Sequence, residues 1–162
     1  MIALHLLRHA HAGDPDRWNA DDASRPLSEK GVRQSERLGR LLSSYEEAPD
    51  LFITSPKVRA ARTAEIVAKA LGAEVIVDPR LAGGLDRRLV GDVLLLHAAE
   101  SERPCLVGHD PDFSELLGEL LGLPPVPMRK GAIARVDVGS RELSGGTGTL
   151  RYLLPPELLP SK

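Results

Sequence analysis

Residues 2–14 read IALHLLRHAHAGD, an apolar run (2–7, "IALHLL") that passes directly into Arg8, His9, Ala10 and His11. The run is short and almost wholly aliphatic, which predicts a strand buried on both faces of a parallel sheet. A permanently cationic guanidinium beside two imidazoles is costly unless an anion, or a reaction, is served there. Further along the chain there must then be elements to cover the strand and groups to complete the polar cluster.

The covering elements are legible. In "RPLSEKGVRQSERLGRLLSSYEE" Ser28 is a plausible N-cap, and Val32, Leu38, Leu41 and Leu42 form a helical stripe reaching about residue 45. "DLFITSP" predicts a second strand, with Ser55-Pro56 read as a cap and first helical residue for "PKVRAARTAEIVAKALG", which ends at Gly72. "AEVIVD" predicts a third strand, a helix follows over about 86–99, and "RPCLVGHD" predicts a fourth strand. Asp110-Pro111 repeats the cap-and-proline pattern before "DFSELLGELLG". "GAIARVDVG" and "GTLRYLLP" read as two last strands around a glycine-rich turn. Strands alternating with helices predict an α/β fold, a three-layer α/β/α sandwich with a mostly parallel central sheet. Residues 1–162 read as a single domain, with a tail over about 155–162 expected to fray.

Composition narrows the classes. Aromatic residues make up 3% of the chain, so its core must be built from aliphatic side chains. With 21 basic against 23 acidic residues there is no electrostatic case for nucleic acid or an anionic membrane as partner. No apolar run approaches the roughly 20 residues of a membrane span. The first residues lack a basic leader and a cleavage pattern, so no signal peptide is expected. Cys105 is the single cysteine, which suits a reducing compartment; a cytoplasmic location is the expectation.

Three of the four predicted strand exits carry polar residues of catalytic type. The first gives Arg8-His9, the second leads through Ser55 to Arg59, and the fourth gives Gly108-His109. Ligands of such folds gather beyond the carboxyl ends of the strands, next to helix N-termini that favour anions. Each residue alone has an ordinary reading as a hydrogen-bonded histidine or a surface ion pair. Together they predict an oxyanion site.

These blocks resemble a known family. "LLRHAHA" is similar to the Arg-His-Gly signature of the histidine phosphatase superfamily, which has the phosphoglycerate mutase-like fold. "TSPKVRAARTAEIV" resembles its second block and "LVGHDP" its third, in family order. With "RPLSEKG" and "MRKGAIARV" the likeness spans about residues 2–138 and is greatest to the SixA-type phosphohistidine phosphatases. Ala10 stands in place of the signature glycine, and His11 where the wider family often has an acidic residue. The resemblance implies that His9 attacks phosphorus and is transiently phosphorylated. It implies that Arg8 and Arg59 bind the phosphoryl oxygens and hold His9 neutral, and that a protonated His109 donates to them. Arg25 is a further phosphate or substrate contact by weaker resemblance. Larger members carry a general-acid glutamate after the third strand; here that region offers only Asp78 and Asp86. A phosphohistidine leaves as imidazole and needs such an acid less than an alkyl ester does.

The implied partner is therefore a protein carrying phosphohistidine, or a small phosphomonoester, with phosphate-like anions as ligands. Neither cofactor nor metal is expected, and chelators should have no effect. One rival is a general phosphomonoesterase for sugar or nucleotide phosphates; another is a module that binds phospho-ligands without turnover. A metal-binding His9-x-His11 pair would need more ligands, and Arg8 would repel the ion. His5 is expected to be a hydrogen-bonded core residue, His97 a helix-surface residue and Cys105 inert. "SERLGRLL" and "VRAAR" read as solvated basic faces that could meet an acidic partner.

Overall fold

A computed structural model describes residues 1–161. Six strands form one sheet: β1 (Ile2–Arg8), β2 (Leu51–Thr54), β3 (Glu74–Val77), β4 (Pro104–Gly108), β5 (Ile133–Val138) and β6 (Thr149–Leu154). Their order across the sheet is β3-β2-β4-β1-β5-β6. β1 to β4 run parallel, whereas β5 pairs antiparallel with both β1 and β6. The aliphatic run 2–7 lies at the centre of this sheet, between β4 and β5, which is why it needs no polar face.

The strands alternate between two cores. Leu4, Leu6, Ile53, Leu106 and Val136 face α3 (Arg87–His97) and α4 (Asp112–Leu121), packing with Val90, Leu94, Leu116 and Leu117. Leu7, Phe52, Cys105, Val107 and Ile133 face the other way, against Leu38 and Leu42 of α1 (Glu29–Ser43) and Val67 of α2 (Val58–Leu71). The result is the expected three-layer sandwich, with its aliphatic core split by the sheet.

Local signals explain most boundaries. The Ser28 hydroxyl accepts the Gly31 N–H at 3.1 Å and caps α1; Gly72 ends α2 in the left-handed region. Ser55, however, does not cap α2. That helix starts at Val58 with no side-chain cap; the Ser55 hydroxyl accepts the Lys57 N–H at 3.2 Å just ahead of it and has a second partner, described below. The glycine-rich turn joins β5 to β6 and docks on α4, where Gly146 and Gly148 donate to the Glu119 and Leu120 carbonyls. Within the tail expected to fray, Pro156–Leu158 form a 3-10 turn and Leu159 packs into the α1/α2 core. An apolar side chain with a core to enter holds that end down.

Candidate active site

Register brings the polar strand exits together. Arg8 is paired with Gly108, and Thr54 with Val107. One residue later the His9 N–H donates to the Gly108 carbonyl, and the Ser55 N–H to the Val107 carbonyl, both at 3.0 Å. From the other side of β1 the Gly131 N–H donates to the carbonyls of Arg8 and His9 at 3.1 and 2.9 Å. His9, Ser55 and His109 are thereby fixed at one edge of the sheet by the ladder itself. A cavity of about 360 Å³ opens there, lined by Arg8, His9, Arg25, Arg59 and His109 among others.

The hydrogen bonding of His9 selects its tautomer. Nδ1 lies 2.8 Å from the Ala10 carbonyl oxygen, which can only accept, so Nδ1 carries the proton and Nε2 keeps its lone pair. The ring is buried, and its pKa is pushed down to about 3. Burial is the first cause; His109, Arg59 and Arg8 push the same way after it. The neutral state expected of His9 thus comes more from desolvation than from the neighbouring cations.

His109 sits with its ring centroid 5.2 Å from that of His9. Its Nε2 meets the Ser55 hydroxyl at 2.8 Å, while its Nδ1 is buried without a partner among the described residues. Burial, then Lys57, Arg59 and Arg8, lower its pKa to about 4. These surroundings favour the neutral imidazole, and the protonated donor implied above depends on a phosphoryl dianion to oppose the cationic share of that shift.

The arginines are held by backbone as much as by charge. Arg8 donates to the Met128 carbonyl at 2.7 Å and lies 3.4 Å from the Asp110 carboxylate. Arg59, on the first turn of α2, is buried and not part of a solvated face; its Nη1 and Nη2 go to the carbonyl and carboxylate of Asp22 at 2.8 and 3.0 Å. Arg25 lines the cavity, donating from Nε to the same Asp22 carboxylate at 3.0 Å and from Nη1 to the Ala12 carbonyl at 2.7 Å. Lys57 and Lys130 also line the cavity. Burial lowers the pKa of Lys130, helped by Arg8, Arg25 and Arg59. So many cations around one hollow suit an anion.

Neither expected general acid lines the cavity. Asp78 caps the 3-10 turn Pro79–Ala82, pairs with Arg80 at 2.6 Å and meets His97 Nε2 at 2.9 Å; these bonds hold its carboxyl well below the usual range. His97 is accordingly an inter-element partner and not a free surface residue. Asp86 is the N-cap of α3, accepting the Leu89 N–H at 2.8 Å. The carboxylates that do line the cavity are Asp110 and Asp112. His11 is not among the cavity's lining residues; its Nδ1 lies 2.7 Å from the Ser28 hydroxyl. His5 is buried as expected, but neither ring nitrogen has a hydrogen-bond partner among the described residues.

Asp22, Lys57, Lys130 and Asp112 escape a reading of the sequence made strand by strand. Two signals could have found the first two: Asp22 stands three residues before Arg25, and Lys57 two before Arg59, each next to a block already singled out.

The sequence model of the Histidine phosphatase superfamily (branch 1) matches residues 4–83. A probable phosphoglycerate mutase, GpmB of Cronobacter sakazakii, is 35% identical over 121 residues, which are 69% of this chain and 53% of that protein; the chain thus spans about half the length of this relative. The structure of the protein histidine phosphatase SixA complexed with tungstate superposes with a TM-score of 0.81 at 26% identity, over 96% of this chain and 97% of the other. The α-ribazole phosphatase of Shigella flexneri shares the fold, with a TM-score of 0.73 at 20% identity over 96% and 97% of the two chains. With the ordered blocks of sequence, the sheet register and these likenesses in agreement, the chain belongs to the histidine phosphatase superfamily.

Proposed function

We propose that the chain is a phosphatase whose covalent intermediate forms on His9, and that its substrate is phosphohistidine on a partner protein. The observation that carries the reading is the His9 Nδ1 bond to the Ala10 carbonyl, which leaves Nε2 as a nucleophile in a cavity ringed by Arg8, Arg25, Arg59 and His109. The guanidinium groups present forked donors to a phosphoryl dianion. The Nε2 lone pair forms the new N–P bond as the bond to the leaving nitrogen breaks, and the substrate imidazole, already protonated on its other ring nitrogen, departs as a neutral ring with the electron pair of that bond. Water then attacks phosphorus, the electron pair of the N–P bond returns to Nε2, and orthophosphate leaves. Throughout, Nδ1–H stays on Ala10, so the ring keeps its orientation in both steps. Charge on the equatorial oxygens is met by donors already in place.

Two features favour a protein substrate. The cavity wall at Gly83 and Gly84 carries no side chains, which leaves room for a phosphorylated residue on another chain. Asp110 is occupied as an acceptor by the N–H and hydroxyl of Ser114, so it has little to offer an alkoxide leaving group. The SixA neighbour binds tungstate, a phosphate-like oxyanion. A phosphomonoesterase reading is favoured by one contact: Asp112 uses Oδ2 for the Leu85 N–H at 3.2 Å and keeps Oδ1 for a substrate.

The test is a substrate profile with rapid quenching. Phosphohistidine protein should be hydrolysed well ahead of p-nitrophenyl phosphate and a panel of metabolite phosphates, and acid-labile phosphate should be trapped on His9 and be lost in His9→Ala. Preference for a sugar or nucleotide phosphate would favour the second reading. Binding of vanadate without any hydrolysis would leave only a phospho-ligand binding module.

A further inference from the structure

The two arginines on the α2 side of the cavity are already holding an anion. A single carboxylate, that of Asp22, takes Arg25 Nε on Oδ1 and Arg59 Nη2 on Oδ2, each at 3.0 Å. Both guanidinium groups are buried, and both line the cavity. Asp22 itself is more than half exposed. It opens the 3-10 turn Asp22–Ser24; neither this turn nor the preceding one, Pro15–Arg17, buries a single residue. Segments with so little apolar burial open at low free-energy cost. The Asp22 side chain thus offers Arg25 and Arg59 the same two-oxygen contact that a phosphoryl group offers, from a support that yields easily.

We infer that Asp22 is an internal counter-anion: it holds Arg25 and Arg59 in their binding pose while the cavity is empty, competes with the phosphoryl group for them, and hastens the departure of orthophosphate. This positioning role rests on the phosphatase reading given above. Its physical basis is charge. A carboxylate that stays near a bound dianion repels it, and one that is displaced gives up two charge-assisted bonds; either way the anion binds more weakly than the arginines alone would allow. The Arg59 bond to the Asp22 main-chain carbonyl, at 2.8 Å, does not depend on the side chain and keeps that guanidinium in place.

Asp22→Asn separates competition from support, because the amide keeps an acceptor oxygen and loses the charge. Binding of orthophosphate and of vanadate is measured by calorimetry at neutral pH for the wild-type chain and for D22N. The variant should bind both roughly tenfold more tightly, with the gain shrinking as salt is raised. Product inhibition by orthophosphate should tighten by the same factor. A merely supporting role predicts the opposite sign. Thermal melting confirms that the variant is folded, and Asp22→Ser is read in the same way should D22N fail to fold. Equal or weaker binding by a folded variant overturns the inference while the phosphatase reading stands. A wild-type chain that binds neither anion, together with a D22N that binds neither, overturns both; binding gained only in D22N supports the inference.

Discussion

The Thr63 hydroxyl accepts the Ala10 N–H at 3.1 Å and donates to the Arg59 carbonyl at 2.7 Å, so one buried side chain ties the loop after His9 to the helix that carries Arg59. Ala10 is also the residue whose carbonyl orients His9. Thr63→Val keeps the shape and removes the acceptor, leaving a buried N–H unpaired at a cost of about 1–3 kcal/mol. Thr63→Val should therefore lower the melting temperature and also reduce kcat/KM by an order of magnitude or so, whereas Thr63→Ser should restore both. Unaltered turnover in a destabilised Thr63→Val would show that the tie supports the fold alone.

Three buried imidazoles set the acid limb of stability. Their folded pKa values lie at about 3 for His9 and about 4 for His5 and His109, against 6.5 unfolded. As pH falls from about 6.5 toward 4 the unfolded chain binds protons that the folded chain refuses, so stability must fall with pH across that window and stay level above about 7. Asp22, Glu47 and Asp137, whose carboxyls are held below their ordinary range, extend the loss in the same direction below pH 4. Urea unfolding at a series of pH values measures the slope. His5→Leu, which removes two unpartnered nitrogens far from the chemistry, should flatten part of it and leave turnover intact. A chain that grows more stable between pH 7 and 5 would contradict this assignment.

What could be read from the sequence, and what could not, follows from where each group sits. Arg8, His9 and His109 were legible because a strand in register carries its exit residues to a predictable edge, and Arg59 because helix α2 starts beside that edge. Asp22 lies in an irregular loop and meets Arg25 and Arg59 without itself lining the cavity, a pair of contacts that no periodicity announces. Ser55 looked like a cap because Ser-Pro often precedes a helix; its hydroxyl does accept the Lys57 N–H at 3.2 Å, but the helix begins at Val58, and the same oxygen meets His109 across the sheet. His5 looked ordinary because its unpaired nitrogens are a property of its neighbours, not of the strand pattern.

Asp78 and Asp112 should respond in opposite ways to loss of charge. Asp78 is nearly buried and tied to Arg80 and His97, so Asp78→Asn should cost on the order of 1–3 kcal/mol of stability with turnover retained by the folded fraction. Asp112 lines the cavity, and Asp112→Asn should be thermally mild. A selective fall in ester hydrolysis by Asp112→Asn, with phosphohistidine hydrolysis unaffected, would identify Asp112 as a proton donor to alkoxides and strengthen the phosphomonoesterase reading.

The glycine of "RPLSEKG" allows the first turn of α1 to pass directly over the loop that follows His9. A Cβ built on Gly31 would stand 2.0 Å from the His11 carbonyl oxygen, and that loop is also held by Ser28 N–H to the His11 carbonyl at 3.0 Å and by His11 N–H to the Gln34 side chain at 3.0 Å. Gly31→Ala must push helix and loop apart, at an overpacking cost of about 1–3 kcal/mol. Gly39→Ala is the control: its Cβ would meet that of Ala70 at 2.8 Å, where α1 crosses α2 away from the cavity. Both variants should melt earlier than wild type, but only Gly31→Ala displaces residues two positions from His9. Its kcat should drop severalfold under conditions where both variants remain folded, and equal kcat in the two would show that His9 does not depend on the seating of α1.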